Sequence, residues 1–145
     1  IGIDIGTSSI CGVVYHPSTQ SVISVTKENC ANISSPDNWE KKQDADIIIN
    51  IVWDIVREFQ TRYKDIGGIG ITGQMHGIVY TDVQGNAVSP LYTWQDGRGN
   101  LRYKDNLNYA THLKNITGYP AASGYGLVTH YYNIQNATTF MRSFS

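Results

Sequence analysis

Apolar and polar positions along the first thirty residues alternate with a period of two. Ile1, Ile3 and Ile5 recur before the turn residues Gly6-Thr7-Ser8, Cys11 to His16 is partly β-branched and ends at Pro17, and Ser21 to Thr26 alternates again. This pattern predicts three strands in a β-meander. The run Ile1 to Gly6 has little polar alternation and predicts a buried central strand. A polar stretch, Asn32 to Gln43, leads to Asp44, a good N-cap residue. From there Ile48, Ile51, Val52, Ile55, Phe59 and Tyr63 recur at helical spacing. The spacing predicts an amphipathic helix over 44–63, stopped by Gly67-Gly68, with Ile48, Ile51, Ile55 and Phe59 packed on the sheet.

Strand signals return at Ile69 to Thr72 and at Ile78 to Thr81. Gln84-Gly85-Asn86 reads as a turn and Val88 to Trp94 as the returning strand. Polar helical character over Asn100 to Asn115 is broken by Gly118, Pro120 and Gly124, and a last helix is expected over 126–136. The order suits an α/β fold with a mixed sheet covered by helices.

Size and charge narrow the function. A chain of 145 residues has room for one domain and one core. Its formal net charge of -1 gives no electrostatic case for nucleic acid or an anionic membrane, and no apolar run reaches the length of a membrane span. Ile1 opens directly on the first strand with no basic segment ahead of it, which suggests a trimmed start and no signal peptide. Cys11 and Cys30 lie in different segments without metal-ligand spacing, as expected of two free thiols in a cytoplasmic protein. His112 and His130 fall in the predicted helices with no evident partner.

Three motifs carry chemistry. Asp4-Ile5-Gly6-Thr7-Ser8-Ser9 follows a short apolar strand. Gly6 lets backbone approach an anion, the amides and hydroxyls of Thr7, Ser8 and Ser9 are donors, and Asp4 could hold Mg²⁺ through water. A tight turn between two strands would account for the same residues. Gly70-Ile71-Thr72-Gly73-Gln74-Met75-His76-Gly77 sets Gln74 and His76, each able to donate and accept, among glycines. Thr93-Trp94-Gln95-Asp96-Gly97-Arg98 joins an aromatic face, a carboxylate and a guanidinium, which suits the mixed C–H and hydroxyl surface of a sugar. A core Trp beside an ion pair is the plainer alternative, and Arg98 reads as structural.

Together these strings resemble the FGGY family of carbohydrate kinases, in its N-terminal domain. Asp-x-Gly-Thr after the first strand is similar to the first phosphate loop of the actin, hexokinase and FGGY superfamily. Gly-Gln-Met-His-Gly looks like the sugar segment of xylulose and sedoheptulose kinases, and glycerol kinases carry Arg-Glu where this chain has Met75-His76. Trp94-Gln95-Asp96-Gly97-Arg98 looks like the family's Trp-x-Asp-x-Arg segment.

The resemblance implies an RNase H-like (actin-like ATPase) fold and ATP with Mg²⁺ as cofactors. It implies phosphoryl transfer to a primary hydroxyl of a small-molecule ketose. Asp4, Gly6, Thr7, Ser8 and Ser9 would bind the nucleotide, and Gln74, Met75, His76, Trp94 and Asp96 the sugar. It places the catalytic Asp and the adenine-binding domain beyond position 145. The 145 residues are therefore expected to be the N-terminal part of domain I, inactive in isolation, and a homodimer is compatible with the family.

Where the family commonly has Lys or Arg, this chain has Cys11, so a cationic phosphate contact is missing. That keeps open a catalytically inactive sugar-binding or regulatory member of the superfamily. A purely structural actin-like module is the remaining alternative.

Overall fold

The computed structural model describes residues 1–138. Contacts divide the chain into two compact units. The first holds Ile1–Ala31 and Asp46–Gln74, and the second Asn32–Ala45 and the chain from Met75 onward.

The first unit is a four-stranded mixed sheet with a helix on one face. Its strands are β1 (Gly2–Ile5), β2 (Ser9–His16), β3 (Ser21–Glu28) and β6 (Gly70–Gly73), in the order β3-β2-β1-β6. The first three form the expected antiparallel meander, and β6 adds to β1 in parallel, with Ile3 opposite Ile71. Between β3 and β6 the chain passes through α1 (Ala45–Arg62). The helix begins one residue after Asp44, as expected. It ends at Arg62, five residues short of Gly67, with Tyr63 N–H still donating to the Phe59 carbonyl.

Ile48, Ile55, Val56 and Phe59 are the buried face of α1. Val56 takes the place expected for Ile51, which is half-buried. The packing under the sheet is close: a Cβ on Gly12 would lie 2.3 Å from Ile55 Cγ2 and 2.8 Å from Phe59 Cε2. β1 is central by pairing, but it is not buried on both faces. Ile3 is 2% exposed and meets Gly12 on the same side as Ile55 and Phe59, whereas Asp4 is exposed on the opposite face.

The second unit contains β4 (Asn32–Ile33), β5 (Lys42–Gln43) and β7 (Leu91–Tyr92) in one small antiparallel sheet, with α2 (Tyr109–Thr117) and α3 (Gly126–Gln135). The expected hairpin over 78–94 is reduced to bridges at Ile78–Tyr92 and Thr81–Ala87 around β7. Ser89-Pro90 explains this. Pro90 has no N–H to offer a ladder, and the Ser89 hydroxyl, rather than a backbone carbonyl, accepts from Tyr80 N–H at 2.9 Å. The turn itself forms where expected: the Asp82 carboxylate accepts from the amides of Gln84 and Asn86, and Gly85 has φ 87°.

The helix expected over 100–115 is also shorter. A 3₁₀ turn covers Arg98–Asn100, and Asp105 and Asn106 then adopt φ of 53° and 60°. Two consecutive left-handed residues cannot continue a right-handed helix. α2 starts after Asn108, whose side chain accepts from Thr111 N–H at 2.7 Å, and stops at Gly118 with φ 73°. The last helix follows the expectation within a residue. Ala110, Leu113 and Val128 form a buried cluster joining α2 and α3.

Candidate functional site

The sequence-predicted residues fall in both units, and the geometry of each is local. In the first unit, Asp4 is exposed near the end of β1, with Cys11 opposite it on β2 and Thr72 opposite it on β6. This face opens on a hollow of ≈ 400 Å³ lined by Gly2, Asp4, Cys11, Val13, Gly70 and Thr72 among others. The loop after β1 is fixed by its carbonyls. Gly6 N–H donates to the Ser9 carbonyl at 2.9 Å, Asn29 Nδ2 donates to the Gly6 carbonyl at 2.9 Å, and Asn29 N–H donates to the Ser8 carbonyl at 2.9 Å.

Asn29 is 3% exposed and was not singled out from sequence. Its role depends on a contact 23 residues away, which no local pattern announces. With these carbonyls engaged, the exposed Ser8 and Ser9 present hydroxyls to solvent beside Asp4. That donor set, with one carboxylate, fits an anionic phosphate. Among the described residues no three His, Cys, Asp or Glu side chains converge as a metal site. A single carboxylate suits Mg²⁺, which keeps most of its water and takes phosphate oxygens.

Gln74 closes the first unit and is half-buried, and Met75 opens the second. Met75 is 71% exposed, and His76 is exposed with φ 64°. The imidazole of His76 stacks on the Tyr125 ring, centroids 4.3 Å apart and planes 9° from parallel.

The Trp94 segment lies in the same unit. Trp94 is half-exposed, but Asp96, expected among the sugar contacts, is 1% exposed. Its Oδ1 accepts from Arg98 Nε at 2.6 Å and from Arg98 N–H at 3.1 Å, and its Oδ2 from Arg98 Nη2 at 3.2 Å and Lys41 N–H at 3.1 Å. Four donors occupy the carboxylate, so in this arrangement Asp96 holds the loop that carries the half-exposed Trp94.

Arg98, 2% exposed, is the hub of this loop. It donates to Asn133 Oδ1 at 2.6 Å, lies 3.6 Å from Glu40, and sits over the rings of Tyr92, Tyr132 and Trp39 at 4.1, 5.2 and 5.7 Å. Burial raises the Glu40 carboxyl, but hydrogen bonds from Lys42 and Ser35 and the charges of Lys42 and Arg98 outweigh it. The group ends below its usual value. The two helix histidines have partners after all: Tyr80 hydroxyl with His130 Nδ1 at 2.9 Å, and Tyr131 hydroxyl with His112 Nδ1 at 3.0 Å. Asn133 Nδ2 also donates to the Tyr80 hydroxyl at 3.3 Å, so a polar chain runs from His130 through Tyr80 and Asn133 to Arg98 and Asp96.

The segment 123–126 supports both exposed loops. The Ser123 hydroxyl donates to the Asp96 carbonyl at 3.0 Å. Gly124, at φ 86°, lies so close under Trp94 that a Cβ would fall 1.8 Å from the Trp94 carbonyl oxygen. Tyr125 is the ring beneath His76. Sequence reading treated Gly124 as a helix breaker and passed over Tyr125.

Residues 1–131 match the model of the FGGY family of carbohydrate kinases, N-terminal domain. The chain belongs to that family. A xylulose kinase from Staphylococcus xylosus is 32% identical over 107 residues, covering 72% of this chain and 22% of that protein. Mouse sedoheptulokinase is 28% identical over 170 aligned positions, covering 99% of this chain and 34% of that protein. The FGGY chain described here therefore spans between a fifth and about a third of the relatives it matches.

Among solved structures, a Brucella ovis xylulose kinase superposes with a TM-score of 0.76 at 23% identity, covering 96% of this chain and 30% of that one. Plasmodium falciparum glycerol kinase with ADP superposes with a TM-score of 0.72 at 18% identity, covering 97% and 30%. At these identities the structural likeness speaks for the fold, the RNase H-like, actin-like ATPase α/β fold with its mixed sheet. No helix among the described residues is long and apolar enough to cross a membrane.

Proposed function

We propose that this chain is the N-terminal part of a kinase that transfers the γ-phosphoryl group of ATP to a primary hydroxyl of a ketose, xylulose or sedoheptulose. The observation that carries the reading is the pairing of two exposed segments on one support. His76 stacks on Tyr125, and the backbone of Trp94, 18 residues further along the sequence, lies against the adjacent Gly124. An indole and an imidazole carried on two loops with adjacent supports suit a sugar, which offers an apolar C–H face and hydroxyls. The 32% identical xylulose kinase and the sedoheptulokinases support a ketose over other acceptors.

ATP with Mg²⁺ would supply the phosphoryl group and neutralise its charge. Toward it, Asp4 would hold the metal's water shell, Ser8 and Ser9 would donate hydroxyls to phosphate oxygens, Gly6 would leave room for close approach, and Thr7 would add its amide. Asn29 keeps the loop's carbonyls turned from the anion. Gln74, Met75, His76 and Trp94 contact the sugar, with Asp96 acting through the loop it anchors. No residue of this chain is assigned as the general base.

One observation favours a second reading, a sugar-binding member without catalysis: Asp4 faces Cys11 rather than a cation. ADP release in a coupled assay of the full-length protein separates the two. Ketose-dependent turnover supports the kinase, and ketose binding without turnover supports the alternative.

A further inference from the structure

Among the exposed residues of the two sugar segments, His76 combines an uncommon backbone conformation with a single ring contact. Its backbone lies in the left-handed region at φ 64°, uncommon for a side-chain-bearing residue and sustained where surrounding contacts hold it. Its imidazole makes no hydrogen bond or ion pair among the described residues, and its ring neighbour is Tyr125. An exposed histidine without a polar partner samples several rotamers. A parallel stack at 4.3 Å and 9° selects one ring plane and leaves both ring nitrogens at the rim, free to meet a ligand.

Tyr125 is itself well placed to impose that plane. It is the residue that precedes α3, with φ -71° and ψ 133°, and the helix that follows it is tied into the core through Val128, 1% exposed. Its carbonyl accepts from the amides of Val128 and Thr129. On its N-terminal side Gly124 is wedged under the Trp94 carbonyl, and on its C-terminal side a Cβ on Gly126 would lie 3.3 Å from the His76 carbonyl oxygen. The ring therefore stands on backbone fixed by both loops it serves.

We infer that Tyr125 is a positioning residue for the sugar: its ring face, not its hydroxyl, orients the His76 imidazole toward the ketose and couples that orientation to the Trp94 loop. The inference rests on the sugar-site reading above. It assigns a function to a residue whose exposure, 38%, would otherwise mark an ordinary surface aromatic.

The test is a double-substitution cycle in the full-length protein, read as the Kd for xylulose and for sedoheptulose by calorimetry without nucleotide. KM for ketose and for ATP are measured alongside. Tyr125→Phe, which keeps the ring, is expected to bind the better of the two sugars within 2-fold of the parent, by the order of magnitude of a lost exposed hydroxyl contact. Tyr125→Ala is expected to weaken binding by about 2- to 12-fold, the range of one aromatic pair. His76→Ala should do the same, and the double variant should be no weaker than His76→Ala alone, since the two residues act as one unit. The ATP KM should stay unchanged throughout. Tyr125→Leu, keeping bulk without a π face, replaces the Ala variant if that one fails to fold.

Several results overturn the inference while leaving the sugar site intact. They are full additivity of the two Ala effects, a Tyr125→Phe as weak as Tyr125→Ala, or an unchanged Tyr125→Ala beside a weakened His76→Ala. If His76→Ala binds both ketoses as the parent does, the sugar-site reading itself fails and the inference falls with it.

Discussion

Asp4 and Cys11 face each other across the β1–β2 pair, on the open side of the sheet. The family commonly has a cation at the second of these positions, and here a thiol stands beside an exposed carboxylate. If Asp4 and its loop serve the nucleotide, Cys11→Lys in the full-length protein should lower the ATP KM. Asp4 is solvent-exposed, so the gain is that of a screened charge contact, about 0.5–1 kcal/mol or roughly 2- to 5-fold. The ketose KM should not move. A Lys variant with an unchanged ATP KM and a changed ketose KM would place this face elsewhere in the chemistry.

The Asp96–Arg98 pair should matter more to stability than to sugar affinity. Both groups are buried, and removing one partner leaves the other charge uncompensated, at a cost of about 3–5 kcal/mol. Arg98→Ala is therefore expected to lower the midpoint of urea unfolding sharply. Asp96→Asn, which keeps shape and some acceptors, should do so less. A stable Asp96→Asn protein with a strongly raised ketose KM would instead return Asp96 to the sugar contacts.

Glu40 gives this region an acid-sensitive side. Its folded carboxyl titrates below its usual value, so its stabilising effect is complete above the unfolded carboxylate pKa and is lost as pH falls through the lower folded one. Glu40→Gln should lessen the decline of melting temperature on the acid side of about pH 4.5 while leaving its slope near pH 7 unchanged. Calorimetric melts from pH 3 to pH 8 compare the two proteins.

The strands β1 and β2 and helix α1 were legible because one face of each meets one core, and a buried face imposes its period on the sequence. Ile3, Ile55 and Phe59 carry that signal. β3, which buries no residue, was legible by its β-branched run alone. The turn at Asp82 was legible but the strands on either side of it over 78–94 were not, since the Ser89 hydroxyl replaces a ladder bond with a side-chain bond that leaves the apolar pattern untouched. Asp105 and Asn106 hid the late start of α2 in the same way, by backbone conformation rather than by polarity.

At the candidate site, Asp4, His76 and Trp94 could be named from their motifs. The environment of Asp96 could not, because burial and four donors are long-range facts. Asn29, Gly124 and Tyr125 support other residues across 23 to 49 positions of sequence, and no local pattern reports such contacts.

Gly124→Ala tests the support beneath Trp94. A Cβ there meets the Trp94 carbonyl at 1.8 Å, and φ 86° is unfavourable for any side chain, so the loop must shift. We expect a loss of about 1–3 kcal/mol in unfolding free energy together with a weaker ketose interaction. Tryptophan fluorescence reports the displacement of Trp94.

The central claim is that the Met75-His76 and Trp94 segments bind a ketose that the full-length protein phosphorylates. It is tested most directly by steady-state ADP release from the parent and His76→Ala full-length proteins, with xylulose, sedoheptulose and glycerol as acceptors. The account predicts turnover on a ketose in preference to glycerol. It also predicts a ketose KM raised roughly 2- to 13-fold by His76→Ala, the range for one lost neutral hydrogen bond, with the ATP KM nearly unchanged. An unchanged ketose KM beside a collapsed ATP affinity, or turnover on glycerol but on neither ketose, would contradict it.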